Sequence, residues 1–225
     1  MYARTISLFI TLTAGMFLGG CTDFSNNPDE EDYYGSGRLI SEQRSANTFT
    51  GIRLTGIGKV VVTQSNTEGV RVEADDNIID RVTTSVQSGV LLIGMKRGSY
   101  HNVTVNVYVS MKTVEVLELV GAGEFRSAGS IQSDDVLCRI TGAGEMTLSG
   151  TAANQTIQIT GAGSVRNFDL TSTTCSATIS GTGNIEVTVT QRLDAIITGV
   201  GNITYGGNPP TVNQTVTGVG SVRRQ

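Results

Sequence analysis

Residues 140–165 read ITGAGEMTLSGTAANQTIQITGAGSV, and this stretch begins and ends on the same phrase. The phrase is an apolar residue, a hydroxyl residue, Gly-x-Gly, a polar residue and a second apolar residue. It recurs as LVGAGEF (119–125), ITGAGEM (140–146), ITGAGSV (159–165), ISGTGNI (179–185), ITGVGNI (197–203) and VTGVGSV (216–222), with an early copy, LTGIGKV, at 54–60. The first glycines of successive later copies lie 21, 19, 20, 18 and 19 residues apart. A near-constant period close to 20 residues is the signature of a solenoid, in which each repeat contacts only its neighbours.

The alternation inside each repeat selects the kind of solenoid. Two residues before the first glycine stand Leu119, Ile140, Ile159, Ile179, Ile197 and Val216. Four before it stand Leu117, Cys138, Ile157, Ala177, Ala195 and Gln214. Six before it stand Val136, Cys175, Leu193 and Val212, with Glu115 and Gln155 as exceptions. Four after it stand Phe125, Met146, Val165, Ile185, Ile203 and Val222. The positions between are mostly Thr, Ser, Asn, Gln or charged. Period two is the period of a strand with one buried face. The reading is an all-β, right-handed parallel β-helix with coils of about 18–21 residues, the hand following from the general preference of parallel crossovers. Equivalent residues then stack about 4.8 Å apart, so that inward Ile, Val and Leu form columns and outward Thr141, Thr160, Ser180, Thr198 and Thr217 form a hydroxyl ladder. The twelve repeat glycines, Gly121, Gly123, Gly142, Gly144, Gly161, Gly163, Gly181, Gly183, Gly199, Gly201, Gly218 and Gly220, fall where the chain turns tightly or where side chains would collide. Leucine-rich repeats share the period but need a leucine/asparagine consensus that this chain lacks.

Residues 37–118 are less regular but still strand-like, with Val60–Thr63, Val70–Glu73, Val90–Ile93 and Val103–Val109 separated by turn signals such as Ser88-Gly89. They read as degenerate coils capping the regular coils of 119–225, since end repeats are normally atypical.

The N-terminus reads as an address. Arg4 precedes an apolar run, Ile6–Leu18, of signal-peptide length, which ends in Leu18-Gly19-Gly20-Cys21. This resembles the bacterial lipobox, and it makes residues 1–20 a lipoprotein signal peptide and Cys21 the lipidated first residue. Residues 21–36 then form an acidic, flexible tether, because the run Asp29-Glu30-Glu31-Asp32 has nothing to pack with. The implied partner is a membrane, reached through the lipid on Cys21, and the implied location is the cell envelope, as an outer-membrane lipoprotein open to display at the surface.

With the lipobox, the Gly-Ile-Gly-Lys-Val-Val-Val-Thr-Gln segment at 56–64, the Gly-Val-Leu-Leu-Ile strand at 89–93 and the serial Thr-Gly-x-Gly coils on the page, the chain resembles the "putative auto-transporter adhesin, head GIN domain" family over residues 37–225. The resemblance implies a β-helix of the pectate-lyase-like type and an adhesive or surface role in Gram-negative lipoproteins. It carries over no catalytic residues.

Composition removes several function classes. Of 225 residues only 16% are charged and 5% aromatic, with no Trp, one His and a net charge of −4. No broad basic surface is expected, so nucleic acid is a poor partner. Gly-x-Gly without a third glycine and a following helix is not a dinucleotide fingerprint. No aspartate recurs after the second glycine, which argues against calcium-binding rolls. Glu124 and Glu145 should stack on adjacent coils, a weak metal pair at most, with two solvated acids as the plainer reading. Cys138 and Cys175 lie two coils apart and at different coil positions, about 9–10 Å by strand spacing against a reach of about 7 Å for a disulfide. They are expected as buried free thiols. His101 lacks a nucleophile partner and reads as a loop residue. No cofactor is expected. The function read from the sequence is a non-enzymatic envelope lipoprotein, an adhesin or a ligand-binding scaffold for a glycan or protein. The alternatives are a lyase-like carbohydrate enzyme or its remnant, and a periplasmic sensor. An uncapped solenoid end leaves a homo-oligomer open.

Overall fold

The computed structural model describes residues 31–46 and 48–225. Cys21, the signal peptide and residues 22–30 of the tether lie outside the described residues. The chain is a β-solenoid of about five turns, with no α-helix among the described residues and one short 3-10 turn at Ile79–Arg81. Four coils are each a single strand, Ala122–Ile140, Ala143–Ile159, Ala162–Ile179 and Thr182–Ile197. Each strand bends round its coil and pairs in parallel with its neighbours except at the bulges.

The register reproduces the columns of the repeat. One core column runs Ile93, Leu54, Leu119, Ile140, Ile159, Ile179, Ile197, Val216. A second, beyond the Gly-x-Gly corner, runs Val107, Val60, Phe125, Met146, Val165, Ile185, Ile203, Val222. All but the last members are fully buried. Each such side chain contributes about 1.5–3 kcal/mol of burial. A repeated column therefore stabilises the stack while any one coil alone would not.

The unequal repeat lengths are absorbed at one corner. Arg126 pairs with Thr147, 21 residues on, but Ser130 pairs with Ser149, 19 residues on. Met146 pairs with Val165, 19 on, and Gly150 with Leu170, 20 on. These bulges cut backbone partners out of the ladder, and side chains replace them. The amide of Leu148 donates to Asn167 Oδ1 at 2.9 Å, and that of Ser149 to Ser127 Oγ at 2.9 Å.

The first half departs from simple sequential coils. Gly51–Leu54 pairs with Val116–Leu119 on one side and with Val90–Ile93 on the other, and Ile57–Gln64 lies between Val105–Met111 and the 122–140 coil. The later segment 90–111 is therefore stacked outside the earlier segment 51–64. This order explains why the LTGIGKV copy, remote in sequence, joins the repeat in space. The end is closed by antiparallel strands: Val82–Gln87 on Val90–Met95, and Leu39–Arg44 on Gly69–Asp75, which itself pairs antiparallel with Val105–Met111. Reversing direction ends the parallel ladder, so a further coil cannot simply continue it.

The tether also ends sooner than its composition indicates. Asp32–Tyr34 forms a parallel strand with Ser99–His101. Tyr33 stacks on Tyr100 with ring centres 5.5 Å apart, and the Arg81 guanidinium lies 3.6 Å from the Tyr33 ring centre. The acidic run hides two tyrosines, and their aromatic area fixes its last residues to the body.

Candidate functional site

Two glycine columns form one corner of the solenoid: Gly56, Gly121, Gly142, Gly161, Gly181, Gly199, Gly218, and two residues later Gly58, Gly123, Gly144, Gly163, Gly183, Gly201, Gly220. From Gly121 on, the place of a β-carbon on each glycine is taken by the carbonyl oxygen of the glycine one coil earlier, well inside the 3.0 Å that real β-carbons keep. The twelve repeat glycines are thus seats for backbone.

The lane after the corner carries most of the polar chemistry. Its first column runs Lys59, Glu124, Glu145, Ser164, Asn184, Asn202, Ser221. Glu124 and Glu145 are register neighbours, as the repeat requires. Each ends against a cation: Glu124 against Lys59 at 3.2 Å and Arg126 at 3.5 Å, Glu145 against Arg166 at 2.6 Å. Their mutual repulsion is relieved by side chains of the same lane. Among the described residues no group of three or more His, Cys, Asp or Glu side chains is placed to hold a metal ion. Further along, Asn184 Oδ1 accepts the backbone amide of Asn202 at 3.2 Å, and Asn202 Oδ1 accepts the amide and hydroxyl of Ser221 at 3.1 and 2.9 Å. Beside this ladder Ser164, Arg166, Asn184, Glu186, Asn202, Thr204 and Arg223 line an open groove of roughly 250 Å³. Among the described residues Glu186 and Arg223 close no ion pair, so the groove offers a carboxylate, a guanidinium and a run of amides and hydroxyls.

A second groove, roughly 490 Å³, has Val116 and Leu137 beside Glu115, Asp134 and Asp135 in its lining. A charge ladder runs Arg53, Glu118, Arg139, Gln158 in register. Glu118 is only 5% exposed, held by Arg53 Nε at 2.5 Å and Arg139 Nη1 at 2.6 Å. Gln158 extends the ladder, accepting from Arg139 Nε at 2.9 Å. Sequence reasoning missed this ladder although its signal was present, since all four residues stand three before a repeat glycine.

The remaining candidate residues are dispersed. Cys138 and Cys175 are buried free thiols, and burial pushes each up to about 12. They are core residues without nucleophilic character at neutral pH. His101, expected in a loop, instead ends the strand Ser99–His101 on which residues 31–38, the strap, are laid; its ring stacks on Tyr34 at 4.8 Å and lies 3.0 Å from Asp32. The strap itself, anchored on Asp75, Asp76 and Asn77, was not foreseen. The Asp75 carboxylate accepts the backbone amides of Gly37 and Thr104, both at 2.7 Å. Gly37 takes φ +78°, which glycine adopts without strain. Asp76 accepts from the Ser36 hydroxyl at 2.5 Å and from Arg38, and these two partners hold its carboxyl below the ordinary range.

Comparison with known proteins agrees with this architecture. The family model described as "putative auto-transporter adhesin, head GIN domain" matches residues 48–209. A structure described as a putative adhesin from Bacteroides fragilis superposes with a TM-score of 0.69 at 20% identity, over 86% of this chain and 100% of the other. A putative lipid binding protein from Parabacteroides distasonis gives 0.54 at 20% identity, over 87% and 100%. A putative adhesin from Parabacteroides merdae gives 0.52 at 21%, over 87% and 99%. At these identities the likeness is one of fold. No curated protein matches the chain.

Proposed function

Because the chain belongs to the "putative auto-transporter adhesin, head GIN domain" family, we propose that it is a non-enzymatic lipoprotein of the cell envelope that binds a glycan or protein ligand along the outer lanes of its solenoid. The observation that carries this reading is the lane Ser164, Asn184, Asn202, Ser221 with its groove. It presents one hydroxyl or carboxamide per coil, and among the described residues no hydrogen bond joins its hydroxyls to Glu186. A repeating array of donors and acceptors suits an extended ligand held by many modest contacts. Catalysis needs one preorganised cluster at a single place. The adhesin and lipid-binding descriptions of the structural neighbours support a binding role in kind only, since fold alone does not transfer function. The lipobox at Cys21 supports the envelope address.

The test is binding by the mature chain to immobilised glycans and extracellular proteins, beside a variant carrying Asn184→Ala and Asn202→Ala. Both side chains sit on the surface lane, so the variant should keep its fold. Retained folding with binding reduced about tenfold supports the lane. Cleavage of a polysaccharide during the same incubation would replace the proposal with the lyase-like reading.

A further inference from the structure

We infer that the strap end of the solenoid is a membrane-facing foot, with Tyr34, Leu39, Lys96 and Arg97 resting on lipid headgroups and the Gly-x-Gly coils projecting away from the bilayer. The inference rests on the reading of Cys21 as a lipid anchor.

Chain length sets the geometry. The body begins at the strap, where Ser99 donates its amide to the Glu31 carbonyl at 2.9 Å and Gly35 donates to the His101 carbonyl at 3.1 Å. Only residues 22–30 separate Cys21 from Glu31. At about 3.3–3.6 Å per residue they reach at most about 35 Å. The larger sheet runs through ten strands in a row, from Val82–Gln87 at the strap end to Val219–Arg224 at the other, which at about 4.8 Å per step is about 40 Å. The strap clamp transmits the anchor to one end of the body: Asn77 Nδ2 holds the Tyr34 carbonyl at 2.8 Å, and Arg38 reaches Asp76 at 2.6 Å. Without these bonds the stretch to residue 38 would lengthen the tether and the body could take any orientation.

The chemistry of that end suits a headgroup layer. Tyr34 is 61% exposed, and Leu39, which starts the capping strand, is 45% exposed. Of the neighbouring acids, Asp76 is paired with Arg38 and Asp32 contacts His101, an ion pair only when the imidazole is protonated, while Asp80 closes no ion pair among the described residues. Among the described residues Lys96 and Arg97, on the loop that the strap covers, close no ion pair. A phenol ring, an aliphatic side chain and two long cations are the residues that settle where an apolar body meets a wet, anionic layer. The far end also exposes apolar side chains, Val216 and Val219, beside Arg223 and Arg224. Chemistry alone therefore leaves two candidate feet, and the strap decides between them.

The chain has no tryptophan, so one introduced indole reports alone. The full lipidated protein, as Tyr34→Trp, Leu39→Trp or Val219→Trp, would be reconstituted on phosphatidylethanolamine–phosphatidylglycerol vesicles carrying a nitroxide on the headgroup. Thermal melts would confirm that each variant is folded. The expected result is severalfold stronger quenching at positions 34 and 39 than at 219, falling when Lys96→Glu and Arg97→Glu are added. Equal or stronger quenching at 219, with the protein still floating with the vesicles, would overturn the foot while leaving the anchor intact. Failure of the wild-type protein to float, or equal flotation of Cys21→Ser, would remove the anchor reading and the foot with it.

Discussion

The carbonyl oxygen of Gly121 occupies the place where Gly142 would carry a β-carbon. The same relationship joins each later glycine of the corner to the one a coil earlier, so the repeat is conserved along the solenoid by backbone packing. Gly142→Ala must push two coils apart along a ladder that has no slack, and a loss of about 3 kcal/mol or more is expected. Gly69, in a capping strand, has nothing within 4 Å of its β-carbon position. Gly69→Ala should be neutral or stabilising by up to about 1 kcal/mol. Denaturant midpoints of the two variants check the contrast, and similar losses in both would count against the backbone-seat explanation.

Glu118 lies between Arg53 and Arg139 and is almost wholly covered by them. Glu118→Ala would leave two guanidinium groups facing each other. Both arginines keep more than a third of their side-chain surface in solvent, so screening limits the loss to about 1–3 kcal/mol. Raising the salt concentration should narrow the gap between wild type and variant. A gap that salt does not change would mean that packing, rather than charge, holds this ladder.

Two buried amides should respond with opposite signs. Asn167 Oδ1 replaces a ladder partner that Leu148 lost at the bulge, and Asn167→Leu should cost about 1–3 kcal/mol by orphaning that amide. Gln155 is 1% exposed and, among the described residues, its side-chain nitrogen and oxygen have no hydrogen-bond partner. Gln155→Leu should therefore raise the melting temperature, by an amount equivalent to about 1 kcal/mol. Thermal unfolding of both variants decides this, and destabilisation by Gln155→Leu would contradict the assignment of that side chain as an uncompensated core polar group.

Cys138 and Cys175 should not react with thiol reagents in the native protein at neutral pH, because burial holds each thiol at about 12. Both should label fully once the chain is unfolded. Native labelling at the rate of a free thiol would mean that the coils open locally around them.

The strap should loosen in acid. Ser36 and Arg38 lower the Asp76 carboxyl, so the stabilisation is present above the ordinary carboxylate value and is lost as the pH falls through the lower folded one. Amide hydrogen exchange of residues 32–38 should stay slow from neutral pH to the ordinary carboxylate range and accelerate only below it. Asp76→Asn should remove that pH dependence. The Arg192–Asp194 pair, in which Arg192 and Asn213 lower Asp194, should weaken in the same direction.

The regular coils were legible because their cause is local and repeated. Period-two alternation named the inward columns, the fixed glycine spacing named the corner, and the register of Cys138 and Cys175 already separated the two thiols. Glu115 and Gln155 break the alternation in the sequence, and the structure treats them differently: Glu115 is exposed and Gln155 is turned into the core. The stacking of 90–111 outside 51–64 was not legible, since which coil lies on which is a long-range pairing with no local mark. The strap was hidden by composition: four acids in a row read as solvated chain, and the two tyrosines that follow gain their effect only from Arg81 and Tyr100, far along the sequence. Of the candidate site, the lane of Asn184 and Asn202 could be read as a column, but its groove and the pairing of Glu124 and Glu145 with cations needed side chains in place.

The central claim is that this solenoid is displayed from the cell envelope to bind partners outside. Protease treatment of intact cells, followed by mass spectrometry of the medium, tests it most directly. Cleavage in the acidic stretch before Glu31 should release the body, and peptides from the coils between Leu119 and Val222 should appear without lysis. Complete protection until the cells are broken would put the solenoid in the periplasm and contradict the adhesin reading.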